Sequence, residues 1–569
     1  MERKLLFIEE KEMKNKSVKK LISVMMLSTL VLAACGGGGK TDSTDSSNDS
    51  KKASGEQLFR LVVQQEMPTA DLSLGTNTIS FSAFNNIYEG LYRLDEKSKP
   101  HAAGAADMAK KSEDGLTYTF KLREDAKWSN GDPVVAADYV YGWQRTADPK
   151  TAAEYAYMFE LVKNGADVSN GKKPLDELGI KAISDYELEV TLEKETPYFD
   201  YLLAFPSFFP QNKKIVDEKG KDYATTSEAS VYNGPFTLTD FDGAGTDTEW
   251  SYTKNDQYWD KEAVQLDKIE VKVVKEAPTS LNLFQDGQVD DVILSGELAK
   301  QMADDPELVI EKDARTSYLE FNQRDEKSPY HNANLRKAIS YSIDRDAVVE
   351  RILGDGSVAS TGLVPEGMSY SPKDNKDFAD ENKELLKYDK EKAKKYWEAA
   401  KKELGISTFK FDIVGDDTDS TKKILEYIQG AVKETLDGVD VTVTNVPFAV
   451  RLDRGKNGDF EVLMGGWGAD YADPSSFTDL FLTGGSYNRG RYSNEKYDAL
   501  VKASGSKDAS DPEKRWTDMV DAEKLLMDDM GVAPVYQKAE AHMRSKKVKG
   551  VIAHGAGARY DYKWTYITE

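Results

Sequence analysis

A polypeptide of 569 residues outgrows the size at which one hydrophobic core keeps expanding, so its apolar residues must be shared among two or more lobes. Within that limit, short alternating segments and longer amphipathic ones take turns along the chain, which favours mixed α/β layers over an all-helical or all-strand fold. Leu116-Thr117-Tyr118-Thr119-Phe120-Lys121-Leu122 alternates apolar with polar residues after an Asp114-Gly115 turn, and residues 269–273 and 439–443 do the same; each reads as a half-buried strand. Over 335–353, Leu335, Ala338, Ile339, Ile343, Val348 and Ile352 recur near helical spacing, and 424–436 repeats the pattern, predicting two core-facing helices. No period of roughly 20 to 50 residues is visible, which disfavours solenoids and propellers.

With 31% charged and 39% hydrophobic residues, the body of the chain has both a solvated surface and enough apolar material for large cores. The formal net charge of -23 works against nucleic acid, which is bound by clustered Lys and Arg. Acidity alone points to solubility and to no particular ligand.

The amino terminus carries an export signal. Lys14, Lys16, Lys19 and Lys20 precede an apolar run from Leu21 that ends in small residues, and at about 14 residues it is too short to cross a hydrocarbon core as an ordinary helix. Glu9-Glu10-Lys11-Glu12 is out of place in a positively charged leader, which points to Met13 as the start and to 1–34 as the signal. Leu32-Ala33-Ala34-Cys35 resembles the lipobox of bacterial lipoproteins, with Cys35 as the lipidated residue. Cys35 is the only cysteine, so no internal disulfide exists. The Gly, Ser, Asp and Lys tract over 35–55 reads as a flexible tether, with the folded region starting near Glu56. These features predict an extracytoplasmic, lipid-anchored protein of the Gram-positive cell-surface type.

Several segments in order resemble the oligopeptide- and dipeptide-binding family of ABC importers. They are Asn86-Ile87-Tyr88-Glu89-Gly90-Leu91-Tyr92, the stretch 112–123 continuing through Trp128-Ser129-Asn130-Gly131-Asp132-Pro133-Val134, Asn233-Gly234-Pro235-Phe236 with Lys254-Asn255-Asp256-Gln257-Tyr258-Trp259, and residues 335–345. These segments carry fold more than chemistry. Asp114-Gly115 and Asn130-Gly131 are turns, and Trp128 and Trp259 are expected to anchor cores. The resemblance implies a two-lobed periplasmic-binding-protein-like fold with a hinge, of the large peptide-binding type. Its first lobe would take 56–312 with an extra subdomain at about 99–232, its second 313–535, and 536–569 would return to the first, with crossings near Arg315 and Gln537.

The segment expected to carry function is Gly465-Gly466-Trp467-Gly468-Ala469-Asp470-Tyr471, after the apolar strand 460–464. A strand leaving into a glycine-rich loop lets backbone amides approach a ligand. Trp467 and Tyr471 offer broad surfaces, and Asp470 a carboxylate for a peptide's cationic α-amino group. The other reading of Asp470 is a turn cap. The resemblance implies that Asp470 holds the ligand's amino terminus, and that Gly466, Trp467, Gly468 and Ala469 on one lobe and Gln65, Glu66 and Met67 on the other pair with the peptide main chain. Arg451, Arg454, Arg489 and Arg491 are candidates for the ligand carboxylate, and the residues do not choose among them.

No Gly-x-Ser-x-Gly elbow and no His-Glu-x-x-His pair is present, so a secreted hydrolase has no visible nucleophile. His101, His331, His542 and His554 lack ligand spacing, and neither metal nor cofactor is expected. The chain is read as a monomeric, non-enzymatic binding protein. It would capture short peptides between its lobes and hand them to the permease and ATPase subunits of an importer. The alternatives are a peptide-pheromone receptor and a relative that carries haem or a metal chelate.

Overall fold

The computed structural model describes residues 55–569; the export signal, Cys35 and the tether lie outside the described residues. An eleven-stranded mixed sheet runs through the molecule in the order Val439–Val446, Phe409–Asp416, Val462–Gly468, Leu308–Phe321, Val532–Arg544, Asp291–Leu294, Leu58–Val63, Lys268–Val273, Glu249–Lys254 and Phe236–Thr239, with Val358–Ala359 added beside Val532–Arg544. Helices pack against both halves of this sheet, giving a mixed α/β fold. A separate four-stranded antiparallel sheet joins Lys110–Lys111, Thr117–Lys121, Glu187–Thr191 and Ile180–Ser184.

The two long strands Leu308–Phe321 and Val532–Arg544 run antiparallel and connect the halves. Their ladder holds from Leu308↔Met543 to Lys312↔Ala539, breaks, and resumes at Thr316↔Gln537. The break frees the backbone of 313–315 from the ladder, and the Gln537 side chain fills in, donating to the carbonyls of Asp313 and Glu366, each at 3.1 Å, while accepting from the Glu366 amide at 3.0 Å.

The alternating segments form the strands expected of them: Thr117–Lys121 and Lys268–Val273 bury alternate residues, and Val439–Val446 does so at Val439 and Val441. Helix Asp419–Thr435 starts on Thr418, whose side chain accepts from the Thr421 amide, and buries Ile424, Leu425, Ile428 and Val432 along one stripe. The stripe over 335–353, by contrast, is not one helix. Helix Ala333–Tyr341 ends, Asp344 caps a new turn by accepting from the Ala347 amide at 3.1 Å, and a wider π-helical turn covers Val348–Leu353. Arg345, buried at the break, donates to the carbonyls of Ser340, Ile343, Leu386 and Pro534. The bonds to Ser340 and Ile343 satisfy carbonyls that an unbroken helix would have used itself.

Large aromatic residues fill the cores. Trp128, Trp143, Trp250 and Trp397 are fully buried. At roughly 25 cal/mol per Å2 over roughly 150–250 Å2, each stabilises the fold by about 4–6 kcal/mol before entropy is counted. The polar atom does not reverse this gain at Trp143, whose Nε1 donates to the Phe208 carbonyl at 2.8 Å. Trp259 is only partly buried and donates to Glu89. The last strands pack back on the beginning of the fold: Arg93 forms a buried pair with Asp561 at 2.7 Å, and the Tyr562 amide donates to Asn86 at 2.9 Å. Among the described residues no helix is long and apolar enough to cross a membrane.

Candidate functional site

The functional segment begins as a strand, not as a loop. Val462–Gly468 continues through its glycines because Gly465 to Gly468 keep laddering with Tyr318 to Arg315. On its other edge the same strand meets Phe409–Asp416 only at Ile413↔Val462 and Val414↔Leu463. From Met464 onward that edge has no strand partner, and alternate N–H and C=O groups are left for another chain. A second edge of this kind lies opposite. Leu58–Val63 is fully paired with Lys268–Val273 on one side but meets Asp291–Leu294 only at Leu61 on the other. Between them lies a cleft of about 1420 Å3, part of it open to solvent, lined by Val62, Gln64, Gln65, Met464, Gly465 and Arg451 among others. An adjoining chamber of about 720 Å3 is lined by Gly465, Gly466, Trp467, Gly468 and Asp470.

Asp470 closes this chamber and is 6% exposed. Its Oδ1 accepts from the Tyr155 hydroxyl at 2.9 Å, and its amide donates to Ser476 Oγ at 2.9 Å. No cationic side chain of the described residues pairs with it. Burial therefore pushes its carboxyl well above the usual carboxylate range, opposed by the hydroxyls of Tyr155 and Tyr157. Trp467 lies parallel to Tyr155 with ring centroids 6.1 Å apart and edge-on to Tyr487 at 4.5 Å, and its buried Nε1 has no hydrogen-bond partner.

The four arginines separate. Arg489 is spent on Glu154, Arg491 donates to the Gly485 carbonyl, and Arg454 lines neither chamber. Arg451 lines both, is 8% exposed, and has a buried Nε without a partner. Burial pulls its guanidinium down to about 10, which leaves it charged at neutral pH. Arg315, unpaired with Val532–Arg544 at the ladder break though still opposite Gly468, lines both chambers as well and places a guanidinium over Gly466.

The other expected residues are dispersed. Gln65 lines the cleft, whereas Glu66 pairs with Lys275 at 2.9 Å and the Met67 side chain lies wholly in the core, its carbonyl accepting from the Gly245 amide. Ala469 is not free to pair with a ligand's main chain, since its amide donates to Ala314 and its carbonyl accepts from Gly557. The Tyr471 ring stacks on Tyr198 at 4.3 Å and lines neither chamber. Sequence reasoning missed Tyr155, Tyr157 and Tyr487 as neighbours of Asp470, and Arg315 as a cleft residue. No local signal marks them, since Tyr155 and Tyr157 lie two apart on the 3-10 helix Glu154–Leu161, a spacing that does not define a face there. Among the described residues no group of three or more His, Cys, Asp and Glu side chains could hold a metal ion.

The model for bacterial extracellular solute-binding proteins, family 5 Middle, matches residues 99–489. The dipeptide-binding protein of Lactococcus lactis subsp. cremoris is 36% identical over 527 residues, covering 91% of this chain and 95% of the relative. The structure of Listeria monocytogenes OppA bound to peptide superposes with a TM-score of 0.87 at 44% identity, over 91% of this chain and all of that one (100%). The structure of the pheromone receptor PrgZ, described with its mode of peptide binding, superposes at 0.87 with 42% identity, over 90% and 100%.

Proposed function

Because the chain belongs to family 5 of the bacterial extracellular solute-binding proteins, we propose that it captures short peptides between its lobes and delivers them to the permease of an ABC importer. One observation carries this reading: the free edge of Met464–Gly468 leads to Asp470, a buried carboxylate without a cationic partner among the described residues. An extended peptide laid on that edge pairs through groups that every sequence possesses, and its α-ammonium completes Asp470. Arg451, with Arg315 beside it, supplies the positive charge for the ligand's carboxylate. Residues 62–65 form the opposite wall. The lobes divide at about 312 and 535, with 536–569 returning to the first lobe and an extra subdomain at about 99–232. The chain itself catalyses nothing; capture and release are conformational. Cys35 carries the lipid that holds the exported protein at the outer face of the membrane. The likeness to PrgZ favours a second reading, capture of one signalling peptide.

Mass spectrometry of the material released by acid from the purified protein tests both. A heterogeneous set of short peptides with free amino termini is expected, while a single peptide species would favour the signalling reading. Release of no peptide, from a preparation that also fails to bind added peptides, would overturn the proposal.

A further inference from the structure

We propose that a second cavity, behind the Tyr471 ring, is a binding site for a small organic ammonium ion. The cavity holds about 1840 Å3, part of it open to solvent, with walls from 157–202 on one side and 471–515 on the other. Asp470, Arg315, Arg451 and the glycines of 465–468 are not on its walls; it meets the Asp470 chamber only at Tyr487, and its reading does not depend on peptide capture.

Four rings line it, Tyr157, Tyr198, Tyr471 and Tyr487, with Tyr198 and Tyr471 stacked with planes 4° apart. Asp479 shares the wall. Burial raises the phenols of Tyr157, Tyr198 and Tyr471, and the negative charge of Asp479 adds to the rise in each, less than that of Asp470 at Tyr157. Asp479 itself makes no side-chain hydrogen bond or ion pair with a described residue. Lys194 and Arg515 favour its charge without reaching ion-pair distance, and Arg515 is already held by both oxygens of Asp473 at 2.6 and 2.8 Å. Burial, then Asp473, push the Asp479 carboxyl up to about 7, with Glu160 adding to the effect.

No Lys or Arg of the described residues covers Tyr157, Tyr198 or Tyr471, whereas Tyr487 nearby already carries Arg489. Aromatic faces around an unpaired carboxylate suit a cation that is weakly hydrated and needs few hydrogen bonds, as an alkylammonium or quaternary ammonium ion is. A hard metal ion needs several converging oxygen ligands, and among the described residues no group of three or more His, Cys, Asp and Glu side chains is placed to supply them.

Calorimetric titration of the full-length protein with tetramethylammonium at pH 8 tests the site. Saturable binding of one equivalent is expected. It should weaken at least about tenfold in Asp479→Asn and in Tyr198→Ala, persist in Tyr198→Phe and in Asp470→Asn, and decline as the pH falls through 7 because protonation of Asp479 removes the counter-charge. Tyr198→Phe keeps the ring, so it separates loss of the cage from loss of the fold. Absence of saturable binding, equal binding in Asp479→Asn and Tyr198→Ala, or loss in Asp470→Asn, which would place the cation in the peptide cleft, overturns the proposal.

Discussion

At the scale of single residues, the peptide reading turns on Asp470. A buried carboxylate whose side-chain contacts are tyrosine hydroxyls is poorly compensated until a cation arrives. Replacing Asp470 by Asn is expected to weaken a free-amino peptide by about 2–5 kcal/mol and to change binding of its N-acetylated analogue far less; calorimetry on the pair decides it. Equal losses for both peptides would mean that Asp470 acts on structure alone. The pH dependence follows from the same ion pair. Affinity for the free-amino peptide should fall as acidification protonates Asp470, and the Asn variant should lose that dependence. Glu320 shows that burial alone suffices to raise a carboxyl: it accepts from the Gly490 amide at 3.0 Å, yet burial holds it up at about 7.

At the scale of elements, the working part is the glycine-bearing end of Val462–Gly468. A Cβ on Gly466 would stand 3.1 Å from the Thr316 carbonyl oxygen and 3.2 Å from Arg315 Nη2, whereas one on Gly465 would have nothing nearer than the Tyr318 ring at 3.6 Å. Gly466→Ala should therefore displace Arg315 and lower peptide affinity by about tenfold, an effect of about 1.4 kcal/mol, while Gly465→Ala stays within about threefold. Equal affinities in the two variants would remove Arg315 and this close approach from the site. The strand was legible in part: its apolar start is a plain signal, but glycines read as a loop by local propensity. Only pairing with Arg315 to Tyr318, about 150 residues away in sequence, keeps them extended. Asp344 and Arg345 show the converse, where hydrophobic spacing predicted one helix and a cap plus a buried guanidinium divided it.

At the scale of the whole molecule, side-chain contacts bridge the proposed lobes beside the cleft. Lys275 lies 2.9 Å from both Glu66 and Asp417, Glu154 is paired with Arg489 and Lys456, Tyr155 reaches Asp470, and Tyr198 stacks on Tyr471. Lys275→Ala should remove about 0.5–1 kcal/mol of closure, seen as a larger radius of gyration of the peptide-free protein in X-ray scattering and a few-fold loss of peptide affinity. A variant matching the parent in both would show that the pair does not bias closure. The sequence by itself determined that the chain is a two-lobed α/β binding protein of this family, and it singled out Asp470, because strand alternation, turn residues and family segments are local and survive in linear order. The tertiary structure alone decided which side chains surround that carboxylate, which arginine is left unpaired, and that Met67 and Ala469 are committed elsewhere. Burial and pairing depend on residues hundreds of positions apart, and a free strand edge exists only where a sheet partner stops.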